Sequence, residues 1–197
     1  MPAFFDKLEA DNTKSFWLAH KDFYDECVLA PMQALLAELD GEFGEGRVFR
    51  PYRDTRFSHD KSPYKTNIAA HTGSGYISLN ADVLGVGSGL YMPSSEQLAR
   101  FRAAIANGTT GEDLVGIVAD LRRRRIDVSS HNVLKSAPRG YPPDHPRIGL
   151  LRHKGLTTWQ HWDPGPWLRE PSAADRVTSF FRTSAAVCSW LTSHVGS

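Results

Sequence analysis

Three strand-like segments follow one another between residues 68 and 92, and they constrain the fold more than any other part of the chain. The middle segment, Tyr-Ile-Ser-Leu-Asn at 76–80, alternates apolar and polar side chains, which is typical of a strand with one buried face. The third segment carries Gly85, Gly87 and Gly89 at alternate positions. One face of that strand lacks side chains, and we expect aromatic packing to cover it.

Helical periodicity surrounds these segments on both sides. Apolar stripes and capping residues predict helices near the N-terminus, between residues 94 and 125, and over about 172–194. We therefore predict an α+β fold with a mostly antiparallel sheet over residues 47–92, extended near 156–162. N-terminal, central and C-terminal helices are expected to cover this sheet.

Length and composition indicate an ordinary globular chain. With 197 residues, 41% of them hydrophobic and 23% charged, the sequence predicts one domain spanning residues 1–197. No apolar run approaches the roughly 20 residues that a membrane helix needs. The first residues also lack a basic segment leading into an apolar core. We expect no membrane association and a cytoplasmic location.

The two cysteines, Cys27 and Cys188, lie within predicted helices far apart in sequence. We expect both to be small buried side chains without a disulfide. The chain has no Cys-x-x-Cys pair, and its histidines show no helical pairing. The sequence therefore predicts neither a metal site nor a cofactor.

Residues 50–67, here called the Arg/Lys-rich segment, are not explained by fold-building alone. The segment holds five fixed cations and two carboxylates, a net charge of +3. Arginine forks, hydroxyl donors and acids that orient guanidinium groups are typical of an anion site. The predicted anion-binding residues are Arg50, Arg53, Arg56, Lys61, Tyr64 and Lys65, with Asp54, Asp60 and Ser58 as orienting groups. Turn residues predict a loop over 54–66, after an edge strand at 47–52.

A second basic-aromatic stretch follows at residues 134–141. Its cations, Lys135 and Arg139, could form a second wall of the same site if the chain brings the two stretches together. We include both residues in the predicted anion-binding set.

The run Tyr-Arg-Asp-Thr-Arg-Phe-Ser at 52–58, followed by Asp-Lys-Ser-Pro-Tyr-Lys-Thr at 60–66, resembles the signature of the family called domain of unknown function 2461. The likeness extends along nearly the whole chain and includes Gly-Tyr-Ile-Ser-Leu at 75–79. Two positions depart from the family pattern: His59 replaces a usual lysine, and Ser136 replaces a frequent arginine. Both departures reduce the fixed positive charge. The resemblance implies no established activity.

We expect the protein to bind, and potentially to turn over, a small anionic ligand that is phosphorylated by preference. A nucleic-acid-binding module is the first alternative, because aromatic residues alternate with the cations. Two observations argue against this alternative. The pI is near 7.9, and residues 1–45 carry ten acids but only three bases. In the second alternative, Asp54 and Asp60 pair with the arginines, the loop is purely structural, and the protein is an interaction scaffold.

The sequence leaves open whether the protein is an enzyme. His59 stands between Ser58 and Asp60, but adjacent residues in an extended loop point apart, so a local triad is not expected. No Gly-x-Ser-x-Gly nucleophile elbow and no Walker loop are present. We assign no catalytic residue and no oligomeric state.

Overall fold

A computed structural model describes residues 1–196. Its α-helices are α1 Pro2–Ala10, α2 Lys14–Ala19, α3 Lys21–Tyr24, α4 Ala30–Phe43, α5 Ser95–Ala106, α6 Gly108–Arg123, α7 Ile148–Leu151 and α8 Ser172–His194. A π-helical turn spans Asp25–Leu29, and a 3-10 turn spans Pro166–Arg169. The strands are β1 Arg47–Val48, β2 Ile68–Thr72, β3 Gly75–Leu79, β4 Leu84–Leu90, β5 Asp127–Ser129 and β6 Leu156–Trp162.

The six strands form one sheet in the order β1-β2-β3-β4-β6-β5. β2 pairs antiparallel with both β1 and β3, and β5 pairs antiparallel with β6. Arg47 lies opposite His71, and Ile68 lies opposite Leu79. The predicted α+β fold with a mostly antiparallel sheet is confirmed, including the strand near residues 156–162. β1 is shorter than the predicted 47–52.

By its internal contacts the chain divides into two compact units. The first unit contains residues 1–86 and 161–179, and the second contains residues 87–160 and the last helix from residue 180 onward. The prediction of one domain over residues 1–197 stays a prediction. Among the described residues, no helix is long and apolar enough to cross a membrane.

The first unit is built around an aromatic core under its N-terminal helices. Thr13 caps α2, its hydroxyl accepting from the backbone N–H of Phe16 at 3.2 Å. Trp17, Tyr24 and Val28 are buried at the intervals of seven and four that a helix places on one face. In the same unit, α4 lies against β1 and β2.

The prediction that both cysteines are buried is wrong for Cys27, which is exposed, and Cys188 is only half-buried. Cys27 lies four residues after Phe23, which is also exposed, whereas the buried face of these helices carries Trp17, Tyr24 and Val28. The inward position there belongs to its neighbour Val28.

The second unit confirms the aromatic packing predicted above the glycine-rich strand. A Cβ atom on Gly87 would lie 2.8 Å from ring atoms of Trp159, so only glycine leaves room for that ring. Gly89 has a φ of +108° and lies against the backbone of Leu156. The C-terminal helix reaches the sheet in this unit, because Thr158 in β6 donates a hydrogen bond to the Ser184 hydroxyl at 3.1 Å.

Capping residues set the helix starts in the second unit as well. Ser94 and Gln97 form the capping box expected for α5, with hydrogen bonds of 3.1 and 2.9 Å. α6 begins at Gly108, because the Asn107 side chain accepts from the first backbone N–H groups of that helix. α6 lies against α5 and β5.

Candidate anion-binding site

A short antiparallel pairing closes the base of the predicted loop in the first unit. Tyr52 bridges to Tyr64, Arg53 N–H donates to the Pro63 carbonyl at 2.9 Å, and Lys65 N–H donates to the Pro51 carbonyl at 2.8 Å. Residues 54–62, here called the basic loop, therefore leave from a fixed base. Inside the loop, Ser58 N–H donates to the Thr55 carbonyl at 3.3 Å. The orienting role of Ser58 stays a prediction.

Asp60 organises one half of the basic loop. Its carboxylate pairs with the Arg53 guanidinium and also accepts from the Ser62 hydroxyl at 2.6 Å and the Ser62 N–H at 2.9 Å. These bonds, first from the Ser62 hydroxyl and then from Arg53, hold the pKa of Asp60 well below its usual range. The Arg53 pair uses one Nη atom, and Arg53 Nε and Nη2 make no hydrogen bond within residues 1–196.

Asp54 organises the other half through a bidentate pair with Arg56. Arg56 Nε lies 2.9 Å from one carboxylate oxygen, and Nη2 lies 2.7 Å from the other. This pair lowers the pKa of Asp54. Lys61 Nζ donates to the Thr55 carbonyl at 2.9 Å. Three of the five cations in the Arg/Lys-rich segment thus have partners inside it.

Arg50 and Lys65 are the two remaining cations of the segment. Within residues 1–196, no carboxylate lies in ion-pair range of either side chain. Lys65 is half-buried, and its Nζ lies 5.6 Å from the ring centroid of Phe49. Burial, and after it the charge of Arg50, lowers the pKa of Lys65. The two cations are therefore close enough to repel each other.

Tyr64 belongs to the aromatic core. Its ring stacks on Trp17 with centroids 4.4 Å apart and planes 9° apart. Its backbone is held by Asn12, whose amide donates to the Tyr64 carbonyl at 3.0 Å and accepts from the Tyr64 N–H at 3.1 Å. Tyr64 fixes the base of the basic loop against α2, and its contact with an anion stays a prediction.

A cleft of about 890 Å³ opens beside the segment within the first unit. One side comes from the N-terminal helices and the other from residues 45–52. Its charged lining residues are Lys21, Asp25, Asp40, Glu45, Arg47 and Arg50, and its aromatic lining residues are Trp17, Tyr24, Phe49 and Tyr52. Lys21 and Asp25 form an ion pair one helical turn apart. Arg50 brings the Arg/Lys-rich segment to this cleft.

The sequence predicted none of the helical residues of this cleft as site residues. Trp17 and Tyr24 fit a buried helix face, and the Lys21–Asp25 spacing fits an ordinary surface ion pair. The contribution of these residues depends on which strand packs against the helix. A local sequence pattern carries no signal of that packing.

Lys135 and Arg139 are exposed and belong to the second unit. Their predicted role as a second wall of the site stays a prediction. His59 is exposed in the basic loop. Residues 1–196 contain no group of three or more His, Cys, Asp and Glu side chains that could hold a metal ion.

Comparisons with known proteins give one result. No curated protein and no solved structure matches the chain. A family model described as "Conserved hypothetical protein (DUF2461)" matches residues 1–190, which is nearly the whole chain. The resemblance seen in the sequence is thereby confirmed, and the chain belongs to the DUF2461 family.

Proposed function

We propose that the protein binds a small anionic ligand, phosphorylated by preference, at the cationic pair formed by Arg50 and Lys65. The observation that carries this proposal is that these two neighbouring cations lack a carboxylate partner within residues 1–196. Placing like charges together costs free energy, and the cost grows as water is excluded. An anion between the two side chains would remove this repulsion.

Neither acid of the segment lies in ion-pair range of Arg50 or Lys65. Asp54 and Asp60 already accept from Arg56 and Arg53. A charge-assisted hydrogen bond contributes about 1.5–3 kcal/mol when it is shielded from water. Arg50 is exposed and Lys65 is half-buried in the free protein, so their bonds reach this range only when the bound anion shields them from water.

Arg53 is the third cation that can contribute. Asp60 holds one Nη atom of Arg53, which fixes the guanidinium plane and leaves Nε and Nη2 available. The Arg53 side chain is about 29% exposed, so it remains accessible while held. Arg56 is less available to an anion, because Asp54 already accepts hydrogen bonds from the Nε and Nη2 atoms that would bind a phosphate.

The test is a calorimetric titration of inorganic phosphate and sulfate into the protein at low ionic strength. We expect Arg50→Met and Lys65→Met to weaken binding about tenfold or more each. Lys7→Met, which removes an exposed cation of α1, is the matched control and should bind like the wild type. The proposal fails if the wild type binds neither anion. It also fails if Arg50→Met and Lys65→Met bind as tightly as the Lys7→Met control.

One observation favours single-stranded nucleic acid as a second candidate ligand. Phe57 is 95% exposed on the basic loop, and the Arg56 guanidinium lies 5.8 Å from its ring centroid. An exposed ring beside a cation can stack on a base. The loop itself carries two acids and two fixed cations, however, so it supplies little net attraction for a polyanion. A mobility shift with single-stranded oligonucleotides that Phe57→Ser abolishes would favour this second function.

A further inference from the structure

We infer that the cleft beside Arg50 binds an organic anion that carries an unsaturated ring, and that the Tyr24 hydroxyl donates a hydrogen bond to the anionic group. This inference rests on the proposed function, with which it shares Arg50, and it specifies the class of ligand; Lys65 does not line the cleft. It assigns Tyr24 to recognition of the anion and Tyr52 to recognition of the ring.

Tyr24 is a buried side chain with an unused hydroxyl. Only 4% of the residue is exposed, and its ring packs against Phe4 and Trp17 with centroids 5.6 and 4.7 Å away. The hydroxyl makes no hydrogen bond to any residue in 1–196. A buried phenol normally has a partner, because an unsatisfied polar group costs about 1–3 kcal/mol.

The Tyr24 hydroxyl is nevertheless not sealed inside the protein. In the described part of the chain, the fully enclosed side-chain polar atoms without a partner are Trp17 Nε1 and His153 Nδ1. Tyr24 lines the cleft, so the small exposed part of this residue, its hydroxyl included, is open to a bound molecule. A ligand oxygen is the partner that the surrounding residues do not supply.

The hydroxyl keeps its proton near neutral pH and can donate it in a hydrogen bond to such a ligand. Burial, and after it the charge of Asp25, raises the pKa of Tyr24 to about 12. The phenol therefore keeps its proton and favours a hydrogen-bond acceptor. Asp25 itself is already paired with Lys21 on the rim of the cleft.

Tyr52 supplies the surface for a ring. It is 49% exposed and lines the same cleft, while its ring is anchored by Trp17 and Tyr64 at centroid distances of 6.3 and 5.4 Å. Leu36 and Val48 extend the apolar lining. A planar ring can pack on the open side of Tyr52 at the spacing that aromatic pairs prefer.

The shape of the cleft agrees with an organic anion. Its volume of about 890 Å³ lies within the range of small-molecule sites, which combine apolar walls with a few convergent polar groups. Arg50 is one of three cations on the same lining as Tyr52, which also carries three carboxylates, and it is the cation next to Tyr52 along the segment, with Pro51 between them. An inorganic anion would contact the polar groups and leave the apolar wall unused.

The experiment compares phenyl phosphate with inorganic phosphate, titrated into the full chain by calorimetry. We expect phenyl phosphate to bind about tenfold or more tightly, because only this probe covers the Tyr52 ring. Tyr52→Leu should remove this preference without changing inorganic phosphate binding. Tyr24→Phe should weaken both probes by about tenfold, and Tyr91→Phe, which removes a hydroxyl in the second unit, should change neither.

The outcomes separate the two proposals. The inference is overturned if phenyl phosphate binds no more tightly than phosphate, or if Tyr24→Phe binds both probes like the wild type. If Arg50→Met still weakens phosphate binding in that case, the proposed function stands and the ligand class is wrong. If the wild type binds neither probe, both proposals fail. A thermal melt of Tyr24→Phe at or above the wild-type midpoint would show that lost binding does not reflect lost folding.

Discussion

The charge of Arg50 lowers the pKa of Lys65, and neither side chain has a carboxylate in ion-pair range within residues 1–196. Burial and the charge of Arg50 both disfavour the charged form of Lys65. Elsewhere in the same segment, Asp60 engages Arg53 and Asp54 engages Arg56. The segment thus combines a loop of paired charges with two cations that have no carboxylate in ion-pair range, and Arg50 also contributes to the lowered pKa of Asp54.

Removing the charge of Lys65 should stabilise the free protein. Lys65→Met keeps an apolar stem against Phe49 and removes the repulsion from Arg50. We expect the thermal midpoint at pH 7 to rise by no more than about 1–2 °C, because solvent screens a half-exposed charge. Circular dichroism melts would measure this shift, and a fall of several degrees would show that Lys65 has a stabilising partner.

The same substitution has a pH dependence with a defined sign. The pKa of Lys65 in the folded protein lies below its ordinary value of 10.5. Between these two pKa values the unfolded chain binds more protons, so the wild type gains stability as the pH rises. We expect the gap between Lys65→Met and the wild type to close on approaching pH 10.5. A gap that widens with pH would contradict the argument.

Asp60 should show the opposite dependence. Its pKa in the folded protein lies far below the ordinary 3.8, so its contribution is present above 3.8 and is lost as the pH falls through the folded value. We expect Asp60→Asn to lower the denaturation midpoint at pH 7 and to approach the wild type in strong acid. Urea titrations at both pH values would measure the difference, because urea does not screen the charges as guanidinium does. Equal midpoints at pH 7 would mean that the exposed Asp60 bonds contribute nothing measurable.

The Trp159 ring above Gly87 offers a test of the second unit. A Cβ atom at Gly87 would lie 2.8 Å from the ring, so Gly87→Ala should displace Trp159 and destabilise the protein by about 1–3 kcal/mol. Gly116 in the interior of α6 faces open space and is the matched control. Gly116→Ala should stabilise the protein by about 0.5–1 kcal/mol. Urea unfolding of both variants would check this contrast, and a neutral Gly87→Ala would contradict the described packing.

Arg53 and Arg56 should differ in their effect on anion binding. Arg53 keeps free N–H groups and is partly shielded, whereas Arg56 has its Nε and Nη2 edge on Asp54 and a side chain about 76% exposed. We expect Arg53→Met to weaken phosphate binding about tenfold and Arg56→Met to weaken it less than threefold. Phosphate titrations of the two variants would rank them. If both variants unfold instead, the loop is structural and the scaffold alternative gains support.

Much of the fold could be predicted because its determinants are local. Ser94 and Gln97 predict a capping box within four residues, and Thr13 predicts the start of α2. The alternating strand at 75–79 and the face of β4 that carries only glycines could also be predicted directly from the sequence. The exposure of Cys27 could not be predicted, because these helices carry aromatic residues on two faces and the sequence does not show which face packs inward.

The residue types of the candidate site could be predicted from the sequence, but the ion pairs that its side chains form could not. The sequence indicates that cations and acids are concentrated at residues 50–67, but it does not show which acid takes which arginine. That pairing depends on the conformation of the basic loop and leaves Arg50 and Lys65 as the remaining pair. Tyr24 could not be predicted as a site residue for a different reason. A buried tyrosine on a helix is usually a core residue, and the sequence does not show that a cleft lies beside it.

The most direct test of the central claim is a calorimetric titration of pyrophosphate into the wild type and into the Arg50→Met/Lys65→Met double variant. We expect the wild type to bind and the double variant, still folded by circular dichroism, to bind at least about 100-fold more weakly. A wild type that binds no pyrophosphate, or a folded double variant that binds it equally well, would contradict the claim that this cationic pair is an anion site.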